Sequence, residues 1–141
     1  MSILVPNSGL LKILKWITNY EATDGGTGPS GGNRVLKIYT NDFTPSATTT
    51  TGDLIESTDS GYAAITLTGT NWTISNVSGV DIATYPVQTF NFDAQTILYG
   101  YYITDQSDEL LWIERFSDGP YNLTSGGANI DVAPKIKAFS S

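Results

Sequence analysis

The chain has no cysteine and no histidine. Without cysteine there is no disulfide framework, no thiolate nucleophile and no metal site built on sulfur. Without histidine the usual general base, the commonest metal ligand and the side chain that titrates near neutrality are all missing. Serine–histidine–acid catalysis and histidine-ligated zinc are therefore excluded. Charge is scarce too: Asp, Glu, Lys and Arg make up 15% of the residues, against about 25% in ordinary globular chains. The polar surface must then rest on Thr, Ser, Asn and Gly. No long apolar run occurs. The stretch Met1–Tyr20 is broken by Lys12 and Lys15, so it predicts neither a signal peptide nor a transmembrane span. Synthesis and folding in a cytoplasm are expected.

What remains is enough for one domain. A chain of 141 residues can bury a sizeable core without metals or crosslinks. Its net charge of −7 repels phosphates and argues against nucleic-acid binding, while favouring partners with a basic surface. Three N-glycosylation sequons begin at Asn71, Asn76 and Asn122. Chance accounts for them in a chain this rich in Asn, Ser and Thr.

One helix is predicted, near the N-terminus. Leu10, Leu11, Ile13, Leu14 and Ile17 recur near helical spacing, Lys12 and Lys15 lie off that stripe, and Asn7 or Ser8 is placed to cap it. So short a helix needs a surface to lie on. That surface is either an open end of its own domain or a partner protein; two lysines are too few for a membrane-binding face. Asp24–Asn33, DGGTGPSGGN, has the composition of a flexible linker. It suggests three parts: an N-terminal helical arm at 1–23, a linker at 24–33 and a β-body at 34–141.

The body reads as about seven short strands separated by turns. They are Arg34–Thr40, Gly61–Thr68, Trp72–Ser75, Pro86–Phe92, Thr96–Thr104, Glu109–Phe116 and Asn129–Ala138. Thr96–Thr104 and Glu109–Phe116 form a hairpin about the loop Asp105–Asp108. Both of its faces are largely apolar, so it should lie centrally with both sides covered. Gly100, between two tyrosines, marks a close backbone approach or a bulge. In the last strand Ile130, Val132 and Ile136 point in, and Pro134 demands an edge or a bulge. The predicted fold is all-β, an antiparallel sandwich or open barrel with one short N-terminal helix.

Chemistry is sparse. Asp53, Glu56 and Asp59, or Asp105, Asp108 and Glu109, offer oxygen ligands for calcium, although neither set matches the EF-hand loop and a solvated acidic loop explains each better. Glu114 is the best single carboxylate for a glycosidase. Such an enzyme needs a second acid at a defined separation; Arg115 beside Glu114 points to the opposite face, and a cross-strand polar partner or a place at the sheet margin explains Glu114 better. Trp72, Trp112, Tyr85, Tyr101, Tyr102 and Tyr121 admit sugar stacking, yet Trp112 and Tyr101 lie in central strands where aromatics form core. Only Tyr121 follows a clear turn, Asp118-Gly119-Pro120. The pairs Gly25-Gly26 and Gly31-Gly32 lack the Lys-Ser/Thr of a phosphate loop.

Several strings in order carry a family likeness: LVPN (Leu4–Asn7), IYTNDFTPS (Ile38–Ser46), GYAAITLTGTNW (Gly61–Trp72), YPVQTFNF (Tyr85–Phe92), YGYYIT (Tyr99–Thr104), LLWIERFSDGPY (Leu110–Tyr121) and PKI (Pro134–Ile136). In that order the chain resembles small virion proteins of tailed bacteriophages of aquatic bacteria, cyanophages among them. The resemblance implies a capsid cement, or decoration, protein: a homotrimer on the outer head surface that clamps the major capsid protein against packaged DNA. A non-enzymatic role with no cofactor follows from it, with neither nucleic acid nor membrane as partner. The contact residues expected are Leu4, Leu10, Leu11, Leu14 and Ile17 of the arm, and removal of Met1–Tyr20 should leave the body folded. The alternative is a tail-associated or receptor-binding module for host glycan, using Tyr121, Trp72 and the loop Asn41–Asp59.

Overall fold

In a computed structural model the described residues are 6–20 and 33–138. Leu4 and nearly all of the expected linker lie outside them. The fold is all-β with one short N-terminal helix. Eleven strands among the described residues pair entirely antiparallel.

The helix, α1, runs Asn7–Thr18. Neither Asn7 nor Ser8 caps it. The chain turns in at Pro6, whose carbonyl accepts from the amides of Gly9 and Leu10. Proline has no amide to leave unpaired and its fixed φ suits a helix entrance. At the other end Asn19 takes a left-handed conformation, φ 52°, and the amides of Asn19 and Tyr20 close back on Trp16 and Lys15. Asparagine tolerates that conformation, and the closure satisfies carbonyls the last turn would otherwise strand.

A four-stranded sheet has the order β2-β1-β7-β8: Ile65–Leu67, Arg34–Tyr39, Gly100–Thr104 and Leu110–Arg115. β3 (Thr73–Val77), β4 (Val80–Thr84) and β11 (Lys135–Ala138) make a three-stranded sheet with β4 central. β5 (Gln88–Phe92) pairs with β10 (Ala128–Val132), and β6 (Thr96–Leu98) with β9 (Tyr121–Leu123).

Two of the four extra strands arise where expected runs divide. Thr96–Thr104 breaks at Tyr99. Before it the chain pairs with β9; after it, with β1 and β8. Asn129–Ala138 breaks at Ala133 and Pro134, where one half leaves β5 and the other joins β4. Pro134 donates to no ladder, but its carbonyl accepts from Tyr85 N–H at 3.0 Å. Gly61–Thr68 keeps only its last residues as strand, because Asp59–Tyr62 closes a turn. β4 and β9 were not expected. Ser78 and Gly79, both at positive φ, make the two-residue turn that hairpins favour and return the chain along β3.

The expected hairpin is present, but only its first strand is central: β8 ends the four-stranded sheet. β7 is buried at all five positions and has a neighbour on each side. Leu36, Ile38, Tyr101 and Ile103 face the main core with Leu14, Leu67, Trp72, Tyr85, Phe90, Phe92, Leu98 and Val132. On the opposite face Tyr39, Tyr102 and Leu54 form a smaller cluster, joined by Phe43, Leu110 and Ile113. The loop 41–59 supplies that second cover. It is held down by Thr40 N–H to Ile55 O, Ile55 N–H to Asn41 Oδ1 and Asn41 Nδ2 to Asp53 O, all within 3.0 Å.

Candidate functional site

α1 lies on β4 and β11 of its own body. Leu14 and Thr18 are buried, Ile17 packs against the main core, and Leu10 and Leu11 are half-buried. Arg34, 1% exposed at the start of β1, donates from Nε to Ile17 O at 2.8 Å and from a guanidinium nitrogen to Trp16 O at 3.2 Å. A cation belongs there, at the negative end of the helix dipole. Gly69 has no side chain because the Asn19 carbonyl occupies the place a Cβ would take.

Of the two surfaces expected for the helix, its own domain is the one it covers. Leu14 is interior and Ile17 faces the body, so neither is presented to a partner in this conformation. Helical geometry puts the opposite face outward, where Ile13 is 54% and Trp16 55% exposed, with Lys12 beside them. A signal for this was present: six of the residues from Leu10 to Ile17 are apolar, a wider arc than one buried stripe needs.

The acidic sets do not converge, and among the described residues no group of three or more could hold a metal ion. Asp53 accepts from the Thr50 amide and hydroxyl. Glu56 pairs with Lys37 at 3.3 Å and accepts from Tyr62 OH at 3.0 Å. Asp59 accepts the amides of Gly61, Asp93 and Ala94. Those amides, that of Asp93 foremost, hold its carboxyl below the usual range. In the other set, Asp105 accepts the Ser107 and Glu109 amides that close the hairpin loop, while Asp108 meets Lys37 at 2.8 Å. Burial alone would lower the Lys37 pKa; Asp108 and Glu56 outweigh it and raise it.

Glu114 accepts from Tyr101 OH at 2.6 Å across β7 and β8. Arg115, on the other face, meets Asp42 at 2.7 Å and Phe43 O at 2.8 Å and lies over the Tyr99 ring, so it staples the loop 41–59 to the sheet. The aromatics are largely core. Trp72 is 2% exposed, wedged against Tyr85 and Trp112; as a sugar platform it is unreachable. Tyr121 is half-buried against Phe116 and donates to Asp118 at 2.5 Å.

The buried tyrosines predict the pH response. Burial pushes the hydroxyls of Tyr62, Tyr101 and Tyr102 well above their ordinary value of 10.0, and that of Tyr39 to about 12. A folded pKa above the unfolded one gives stability that is whole below the unfolded value and is lost as pH rises past it. The raised Lys37 acts in the same direction. With no histidine, the denaturation midpoint should be flat between about pH 6 and 9 and fall steeply above about 10. Denaturant titrations across that range check it; a decline starting below pH 9 would contradict it.

Among the described residues no helix is long and apolar enough to cross a membrane. No protein family, curated protein or solved structure matches the chain.

Proposed function

We propose that the protein is a non-enzymatic virion structural protein, a capsid cement protein that binds the outer head surface and bridges copies of the major capsid protein. Two things support this reading. The first is the string-by-string resemblance to small tailed-phage virion proteins. The second, which carries it structurally, is the outward face of α1. It presents Ile13 and Trp16 at more than half exposure on a helix whose inner face is fixed to the body. Burying two such side chains on a capsid subunit removes apolar area from water. Binding the assembled shell alone stabilises it by mass action. Glu114, the one carboxylate that invited catalysis, is bonded to Tyr101 OH of the neighbouring strand. Assembly would take place in the host cytoplasm, with no nucleic acid, membrane or cofactor involved.

The test is cosedimentation of the full-length protein with heads that lack it. Wild type should pellet with the heads. Ile13→Ser/Trp16→Ser, at exposed positions that leave the core intact, should reduce binding at least tenfold. Binding unchanged by the double substitution would sink the helix-face reading. Label found on tails rather than heads would favour the alternative, a receptor-binding module for host glycan, for which Tyr121 and the loop 41–59 remain at the surface.

A further inference from the structure

The seven cations of the chain are sorted in space. Arg34 meets the helix carbonyls, Lys37 meets Glu56 and Asp108, and Arg115 meets Asp42. The others are Lys12 and Lys15 of α1 and Lys135 and Lys137 of β11, two elements that pack together. Not one of the 14 Asp and Glu residues lies on either element. A net charge of −7 with those four lysines set apart leaves −11 on the rest of the chain. The molecule is therefore polarised, with one basic region on an acidic body.

Lys15 is half-buried and has a partner of its own. Lys12, Lys135 and Lys137 are exposed and form no ion pair among the described residues. In β11 the two lysines alternate with Ile136 and Ala138, which pack against the main core, so both lysines turn away from it. On α1, Lys12 stands four residues before Trp16 and shares its face. The one carboxylate of β4, Asp81, stands opposite Ala138 and accepts from Asn76 Nδ2 at 3.0 Å. Lysines on an edge strand guard it against pairing. That accounts for Lys135 and Lys137, but not for Lys12 or for two neighbouring elements without a single acid.

We infer that this face docks on an acidic patch of a protein partner; under the cement reading, on which the inference rests, that patch belongs to the major capsid protein. The net charge alone favours the reverse, a partner with a basic surface. Net charge averages over the whole body, whereas docking samples one face, and at physiological salt charges more than about 8 Å apart are largely screened. Ile13 and Trp16 supply apolar contact, and Lys12, Lys135 and Lys137 supply the charge that complementary potentials require. A nucleic acid or an anionic membrane extends past this face and meets the acidic body, which repels it. A compact acidic patch on a protein does not.

Cosedimentation with heads that lack the protein tests this. Raising salt from about 0.05 M to about 0.5 M should weaken wild-type binding roughly tenfold. Lys12→Glu/Lys135→Glu/Lys137→Glu should weaken it at least tenfold at low salt, with an unchanged urea midpoint, and the gap from wild type should narrow at high salt. Asp53→Asn keeps a side-chain oxygen for the Thr50 amide and lies in the loop on the far side of the main sheet; it should leave binding within about twofold. Binding that is indifferent to salt and to the triple substitution would overturn the acidic patch and leave the cement reading standing. Tighter binding by the triple variant would overturn it too, by showing a basic capsid surface. Failure of the wild type to pellet with heads at any salt would remove the cement reading and this inference with it. Pelleting with vesicles of about one-third phosphatidylserine at physiological salt would replace the protein partner with a membrane.

Discussion

Removal of residues 1–20 is expected to cost the body most of its stability, not merely a contact surface. Two losses add. Leu14, 2% exposed in the main core, is the kind of side chain whose truncation alone costs about 2–5 kcal/mol. Arg34 would lose its hydrogen bonds to the carbonyls of Trp16 and Ile17 in a site where it is 1% exposed, and hydrogen bonds to a charged group contribute about 1.5–3 kcal/mol. The sum, on the order of 5 kcal/mol, rivals the whole stability of a typical domain, about 5–15 kcal/mol. Urea titration should show either no cooperative transition or a sharply lowered midpoint. Two point variants separate packing from position. Leu14→Ala should cost about 2–5 kcal/mol, while Trp16→Ala, nearby on the opposite face, should stay within about 0.5 kcal/mol. A truncated chain with the wild-type midpoint would mean that the helix does not dock as described.

The second large effect is expected at Gly100. A Cβ there would run into the Glu114 carbonyl and the ring of Tyr39. The carbonyl belongs to the β7–β8 ladder and the ring is fully buried, so neither can move aside cheaply. Overpacking of this kind costs about 1–3 kcal/mol and occasionally more. With two rigid neighbours, Gly100→Ala should lie at or above the upper end and lower the melting temperature by roughly 10 °C. Gly79→Ala is the control. It sits at φ +83° with nothing near its absent Cβ, so only the cost of the left-handed backbone remains, about 1 kcal/mol. Equal melting temperatures for the two variants would show that the close approach at Gly100 is absent.

Much of this architecture could be read from local pattern, because local pattern decides which face of a strand is wet. The buried Leu36 and Ile38, the inward Val132 and the crowded Gly100 follow from alternation and from a glycine between large rings. The helix was equally plain from its spacing. Sheet membership was not: whether Thr96–Thr104 stays with one partner or changes partners at Tyr99 depends on where β9 and β1 lie, and no short window contains them. The same limit explains the helix face. Periodicity shows that α1 has an apolar side, but the wide arc from Leu10 to Ile17 leaves open which part turns inward. The body resolves it by offering β4, β11 and the Arg34 guanidinium. Trp72 shows the converse error. An aromatic near a turn looks available, yet Tyr85 and Trp112, remote in sequence, enclose it.

The docking of α1 also orders events in time. Its seat is built from β4, from Arg34 at the head of β1 and from β11, the last strand of the described chain. A ribosome delivers the helix first and its seat last. Until β11 has emerged, part of the seat for the Leu14 side of α1 is missing. Contacts between such distant segments slow folding and leave apolar surface open to other chains in the interval. The helix made first is therefore among the last elements to reach its place, and a nascent chain stalled before Lys135 should hold it undocked and protease-sensitive.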